Sequence, residues 1–258
     1  ARTPVGAYLG GLASVSAPEL GAVAIRCALE RAGVRPADVD EVFMGNVVQA
    51  GVGQAPARQA SLRAGIPESV PCTTINKVCG SALKSVMLAS TQIVAGEARL
   101  VVAGGMESMS NAPFLLRGAR TGLRLGEQTM EDANLRDGLV DAYGHGHMGL
   151  CGEGSAEARG LTRDDQDQFA LRSYEKALHA QREGWFDREI VPVEIKGRKG
   201  EVTLVTKDET PRETSIEALR SLRPAFKTDG TITAGNASKV NDGAAAVVVA
   251  SRDRAAEL

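Results

Sequence analysis

Aromatic side chains are scarce: Phe, Trp and Tyr together make up 3% of the 258 residues, and histidine occurs three times. The interior must therefore be filled by small and aliphatic side chains, and 29 glycines allow backbones to approach closely. Cysteine is also sparse. Cys27, Cys72, Cys79 and Cys151 show none of the short paired spacings of a zinc site or a disulfide scaffold. No metal is expected, and reduced thiols in a cytoplasmic compartment are the simpler reading. No apolar run approaches the roughly 20 residues that cross a bilayer. No signal-like segment opens the chain at Ala1-Arg2-Thr3; without an initiator Met, a preceding targeting segment stays open. Charge of one sign is missing too: 30 basic residues face 32 acidic ones. That balance excludes a global field suited to nucleic acid or an anionic membrane, so neither is expected as a partner.

What is present suits a soluble globular chain, with 43% hydrophobic and 24% charged residues and enough length for one large or two modest domains. Ser16 and Glu19 form a capping box ahead of an apolar stripe through Leu20, Val23, Ala24, Cys27 and Ala28, which predicts a helix ending at Gly33. Glu41 to Val48 reads as a strand, Pro56 to Ala64 as a helix closed by Gly65, and Leu100 to Ala103 as a short buried strand ending in Gly104-Gly105. Strands alternating with helices, several of them apolar throughout, predict an α/β fold whose mostly parallel sheet is covered on both faces. Its sites belong at the carboxyl ends of the strands. From Asn111 to about Lys227 the chain is more charged and less regular. Thr162 and Asp165 start a helix there, and the segments 189–195 and 201–205 alternate like strands around a basic turn, Lys196-Gly197-Arg198-Lys199-Gly200. The strand Ala244 to Ala250 returns to the sheet.

One stretch concentrates the chemistry. Pro71 to Ile75 is rich in β-branched residues, the chain turns at Gly80-Ser81, and Ala82 to Ala95 carries small or apolar side chains on nearly every face before Gly96. Strand, tight turn and buried helix follow, with Cys79 at or just before the helix N-terminus. Unpaired N–H groups and the positive end of the helix dipole favour a nucleophilic thiolate there, and the same groups can receive the oxyanion formed when sulfur attacks a carbonyl. The plainer alternative is a structural cysteine in a tight turn.

Asn76-Lys77-Val78-Cys79-Gly80-Ser81 resembles the nucleophile motif of the thiolases, which form or cleave 3-ketoacyl-CoA thioesters. Further stretches resemble that family in the same order: Ala1 to Gly6, Gly104 to Ser110, His147-Met148-Gly149, and Thr233 to Ser238 continuing into Asn241 to Ala245. The resemblance covers essentially the whole chain. It implies one half of the duplicated thiolase fold, with a sheet domain at 1–112 and 228–258 whose first strand is missing, and an inserted α+β loop domain at 113–227 that holds coenzyme A. It also implies a second half bearing Asn-Glu-Ala-Phe, Gly-His-Pro and Cys-x-Gly motifs; none of these occurs here, so turnover by residues 1–258 alone is not expected.

By resemblance, Cys79 takes up an acyl group from one acyl-CoA and passes it to a second substrate. Leu139, His147 and Met148 match positions along pantetheine and the acyl pocket, and Ala234, Gly235 and Ser238 match a segment that contacts the pantetheine arm. Arg212, with a one-residue shift, matches an arginine suited to the phosphates or adenine. Ala82 and Lys239 stand where glycine is frequent in the family, and Gly154 where asparagine is. No tightly bound cofactor is implied; coenzyme A thioesters, acetyl-CoA or acetoacetyl-CoA, are the substrates. His147-Met148-Gly149 leans toward the short-chain, acetyl-CoA acetyltransferase branch, with a longer-chain 3-ketoacyl-CoA thiolase as the alternative. A non-catalytic lipid-binding relative and a ketosynthase acting on a carrier protein remain as other classes. Homodimers or homotetramers are also implied, with 111–128 resembling a tetramer-forming segment.

Overall fold

The computed structural model describes residues 1–197 and 200–258; Arg198 and Lys199 of the basic turn lie outside the described residues. In chain order the strands are β1 (Gly6–Ala7), β2 (Glu41–Gly45), β3 (Cys72–Ile75), β4 (Leu100–Ser108), β5 (Phe114–Leu116), β6 (Met130–Asp132), β7 (Val193–Lys196), β8 (Val202–Val205) and β9 (Asn241–Ala250). The helices are α1 (Ala17–Ala32), α2 (Pro56–Arg63), α3 (Ser81–Ala95), α4 (Met148–Ala158), α5 (Arg163–Arg182), α6 (Ile216–Arg220) and α7 (Arg252–Glu257). The chain forms two compact units, one of Ala1–Pro113, Asp187–Glu209 and Val240–Leu258, the other of Phe114–Phe186 and Thr210–Lys239.

The first unit is built on a five-stranded sheet in the order β1-β9-β4-β2-β3. β3, β2 and β4 run parallel, the mostly parallel core that alternating strands and helices implied, while β9 lies antiparallel to both β4 and β1. Both faces are covered. Val42, Met44, Leu100 and Val102 join Leu20, Ile25 and Leu29 of α1 in one apolar cluster, and the intervening residues Phe43, Val101 and Ala103 join Ala89 of α3 in another. Each fully buried Leu or Ile on α1 contributes about 1.5–3 kcal/mol. That two-sided burial is why these strands read as continuous apolar runs rather than alternating ones.

Several boundaries differ from those expected. β2 ends at Gly45 rather than Val48, because the N–H groups of Val47 and Val48 are taken by the Glu107 carboxylate instead of a neighbouring strand. β4 runs on through Gly104-Gly105 to Ser108, since β9 pairs with it along its whole length, from Leu100↔Ala250 to Ser108↔Asp242. Arg2, beside the first residue, is tied into the sheet, bridging Ala245 and Ile190. The units also divide the chain differently from a split at 113–227: the β7–β8 hairpin packs with the sheet unit, whereas the stretch up to Lys239 packs with the second.

In the second unit β5 and β6 pair antiparallel, and α5 packs on α6. Thr162 caps α5, its hydroxyl accepting from Asp165 N at 3.1 Å while the Asp165 carboxylate accepts from Thr162 N at 2.9 Å. Inside this unit Asp167 is fully buried against Arg163 at 2.7 Å.

By length and composition Val78–Ala95 could also pass for a membrane span. It packs on β4 and β2 instead, but it is not the buried helix expected: only Ser81, Ser85 and Ala89 are buried, while Leu83, Met87 and Val94 are exposed, because the helix covers the sheet with one face and leaves its apolar outer face bare.

Candidate active site

β3 ends at Ile75 and α3 starts at Ser81, so residues 76–80 make the turn that presents Cys79. Side chains hold it from both ends. Asn76 Oδ1 accepts from Val78 N at 3.0 Å, and the buried Ser81 accepts at its Oγ from Lys77 N at 2.9 Å while donating to Val78 O. Val78 sits at φ +47°, a left-handed conformation that a β-branched side chain adopts only under constraint. Cys79 comes next, and it is exposed, whereas Cys27 is buried and Cys72 and Cys151 are partly covered.

The turn rests directly on the sheet. Gly45, at the carboxyl end of β2, and Gly105, within β4, are cross-strand partners. A Cβ on Gly45 would lie 2.7 Å from Ser81 Cβ, and one on Gly105 would lie 2.7 Å from Ala82 Cβ. Two bare glycines therefore let the first turn of α3 settle onto the strands. Beside them Glu107 accepts from Asn46 Nδ2 at 2.7 Å, from Val47 N at 2.8 Å and from Val48 N at 3.3 Å. Burial raises the pKa of Glu107, and these hydrogen bonds, which act the other way, do not overcome it.

Of the residues expected in the site, Cys79 alone lies in the sheet unit; Leu139, His147, Met148, Arg212, Ala234, Gly235 and Ser238 all lie in the second unit. Leu139 ends a wide helical turn, Asn134–Leu139, and its neighbour Val140 bridges to His147. His147 caps α4, its Nδ1 accepting from Gly149 N at 2.9 Å, and its ring stacks on Phe226 with centroids 4.7 Å apart. Met148 is exposed at the start of α4.

Gly235, Ser238 and Tyr174 line a cleft of about 320 Å³, and Tyr174 also borders a second cleft of about 300 Å³ with Arg182 and Arg212. The Tyr174 hydroxyl donates to Gly235 O at 3.1 Å, and the Arg212 guanidinium stands 6.0 Å from the centre of its ring. Ala234 is exposed, and its carbonyl accepts from Lys239 Nζ. Asn236 fixes the segment from within: its Oδ1 accepts from Thr233 N at 2.7 Å, and its Nδ2 donates to Asp167 at 2.9 Å. The two clefts therefore bring Arg212, Gly235 and Ser238 around one tyrosine. Sequence alone marks neither Tyr174 nor Phe226 as a site residue. A hydroxyl on an otherwise apolar face was the available signal for the first; nothing local marked the second.

The chain belongs to the thiolase family: the family model for the thiolase N-terminal domain matches residues 1–253. Proteins described as probable acetyl-CoA acyltransferase from Staphylococcus aureus strains COL and MW2 are each 52% identical over the whole chain, which spans 66% of their length. The solved structure of an acetyl-CoA acetyltransferase from Syntrophomonas wolfei is 43% identical and superposes with a TM-score of 0.96, matching all of this chain and 64% of that one.

Proposed function

We propose that this chain carries the acyl-accepting thiol of an acyltransferase acting on coenzyme A thioesters. The observation that supports it most is the exposure of Cys79 on a turn held over Gly45 of β2 and Gly105 of β4. The Cys79 thiolate attacks the thioester carbonyl, a new sulfur–carbon bond forms, and the coenzyme A thiolate departs and takes a proton. Backbone N–H groups at the start of α3 stabilise the oxyanion between those events. In the second unit Gly235 and Ser238 receive the pantetheine arm in their cleft, Leu139, His147 and Met148 flank the arm, and Arg212 meets the phosphates or adenine.

The acyl group then passes to a second acetyl-CoA, giving acetoacetyl-CoA, or the reverse thiolysis runs. His147-Met148-Gly149 supports the acetyl case. The Staphylococcus relatives' description as acyltransferases favours a second reading, in which longer 3-ketoacyl-CoA chains are handled. Mixing the protein with acetyl-CoA and with longer acyl-CoAs, and following free coenzyme A thiol, separates the two. A stoichiometric burst that is fastest with acetyl-CoA supports the short-chain reading, a burst fastest with longer chains supports the second, and no burst with any thioester contradicts acyl uptake. The same reading makes the complete protein a homodimer or homotetramer, and light scattering of the complete protein that returns a monomer would count against it.

A further inference from the structure

Val78 is a valine in a conformation that costs a β-branched side chain free energy, so something must hold it there. Its own neighbours do part of this: Asn76 Oδ1 accepts from its N–H, and Ser81 N and Oγ both donate to its carbonyl. Asn76 is in turn anchored from behind. Its Nδ2 reaches Val47 O at 3.4 Å, and next to it Asn46 N donates to Ile75 O at 3.0 Å. The loop that provides those anchors follows β2, and its position is determined by Glu107 on β4, whose carboxylate accepts from Asn46 Nδ2, Val47 N and Val48 N. Asn46 Nδ2 also donates to Met106 O at 3.2 Å, so the loop is clamped to β4 at two successive residues.

We propose that Glu107 is a positioning residue for the nucleophile turn: by gathering residues 46–48 onto the end of β4 it fixes Asn76, and through Asn76 it holds Val78 in the left-handed conformation that presents Cys79. On this proposal Glu107 acts through the turn and not on the substrate. The proposal rests on the reading of Cys79 as the nucleophile. A carboxylate suits this place because every group facing it is a donor, and it can accept from all three. A glutamine offers a single oxygen and must turn its own NH2 toward one of them.

The strain at Val78 supplies a test that a merely structural role would not pass. Glycine occupies the left-handed region without cost, so Val78→Gly relieves what Glu107 is proposed to hold. Peptide-resolved iodoacetamide labelling is followed in the wild type, Glu107→Gln, Val78→Gly and the double variant, with thermal melts confirming that each is folded. Glu107→Gln is expected to lower the Cys79 rate about fivefold or more, leaving Cys72 and Cys151 unchanged. Val78→Gly is expected to restore most of that loss in the double variant. Equal losses with and without Val78→Gly, or no effect of Glu107→Gln on Cys79, would overturn the proposal. Should Glu107→Gln not fold, Asn76→Ala carries the same test, since Asn76 is exposed and the same rescue is expected. A wild type whose Cys79 takes no acetyl group from acetyl-CoA would refute the nucleophile reading separately, because the labelling cycle does not depend on the thioester.

Discussion

Placing a methyl group on Gly105 is the sharpest perturbation of the way α3 meets the sheet. In Gly105→Ala the new carbon would stand 2.7 Å from Ala82 Cβ and 3.4 Å from Ala82 Cα, where carbon atoms rest at about 3.5–4.0 Å. The first turn of α3 must give way by about 1 Å, because Gly45 lies on the facing strand directly beneath the same turn. Overpacking of this kind costs about 1–3 kcal/mol. Alanine's advantage over glycine within a strand returns about 0.5–1 kcal/mol, leaving a net loss of up to about 2.5 kcal/mol. For a chain of this size that lowers the melting temperature by up to about 10 °C. A displaced helix start also moves Cys79, so its iodoacetamide labelling rate should change while Cys27, remote on α1, stays protected. Gly45→Ala should cost more, since its methyl would meet backbone, with Ala82 N at 2.8 Å, as well as Ser81 Cβ. If Gly105→Ala melts at the wild-type temperature and labels Cys79 at the wild-type rate, the reasoning that glycines admit the helix to the strands is refuted.

Three further outcomes are expected. Asp167→Ala removes one acceptor from Arg163 and one from Asn236 at a fully buried place; Arg163 keeps the carbonyls of Leu219 and Leu222, so a loss of about 1.5–3 kcal/mol in a denaturant melt is expected. Ser16→Ala should cost about 1 kcal/mol at neutral pH. The hydrogen bond from the Ser16 hydroxyl lowers the Glu19 pKa, so this stabilisation is present above the ordinary carboxylate value and is lost as pH falls through the lowered one; melts of both proteins should therefore converge on acidification. Tyr174→Phe removes the hydroxyl that holds Gly235 O, and calorimetry should show coenzyme A binding weakened by about 1 kcal/mol if that cleft receives the pantetheine arm.

Local chemistry made much of the fold legible. The Ser16–Glu19 and Thr162–Asp165 pairs marked the starts of α1 and α5, Gly33 and Gly96 the ends of α1 and α3, and the β-branched run ahead of Cys79 the strand β3. What could not be read were the pairings between residues far apart in sequence. The early end of β2 depends on a carboxylate that arrives from β4, and the length of β4 depends on β9. Neither leaves a periodic signal. The same holds for the site: Cys79 stood out because a cysteine at a helix start lies in a run, Asn76 to Ser81, that resembles a nucleophile motif. The gathering of Arg212, Gly235 and Ser238 around Tyr174 arises only when α5 packs against segments that follow it.

The central claim is that Cys79 accepts an acyl group, and the most direct measurement of it is the covalent state of that one side chain. Residues 1–258 are incubated with radiolabelled acetyl-CoA, digested, and the label is located by peptide mass spectrometry, with acetoacetyl-CoA assayed in the same reaction. The account predicts one acetyl group on the Cys79 peptide, its absence in Cys79→Ala, and no accumulation of acetoacetyl-CoA. Label on Cys72 or Cys151 in place of Cys79, or label that persists undiminished in Cys79→Ala, would contradict it.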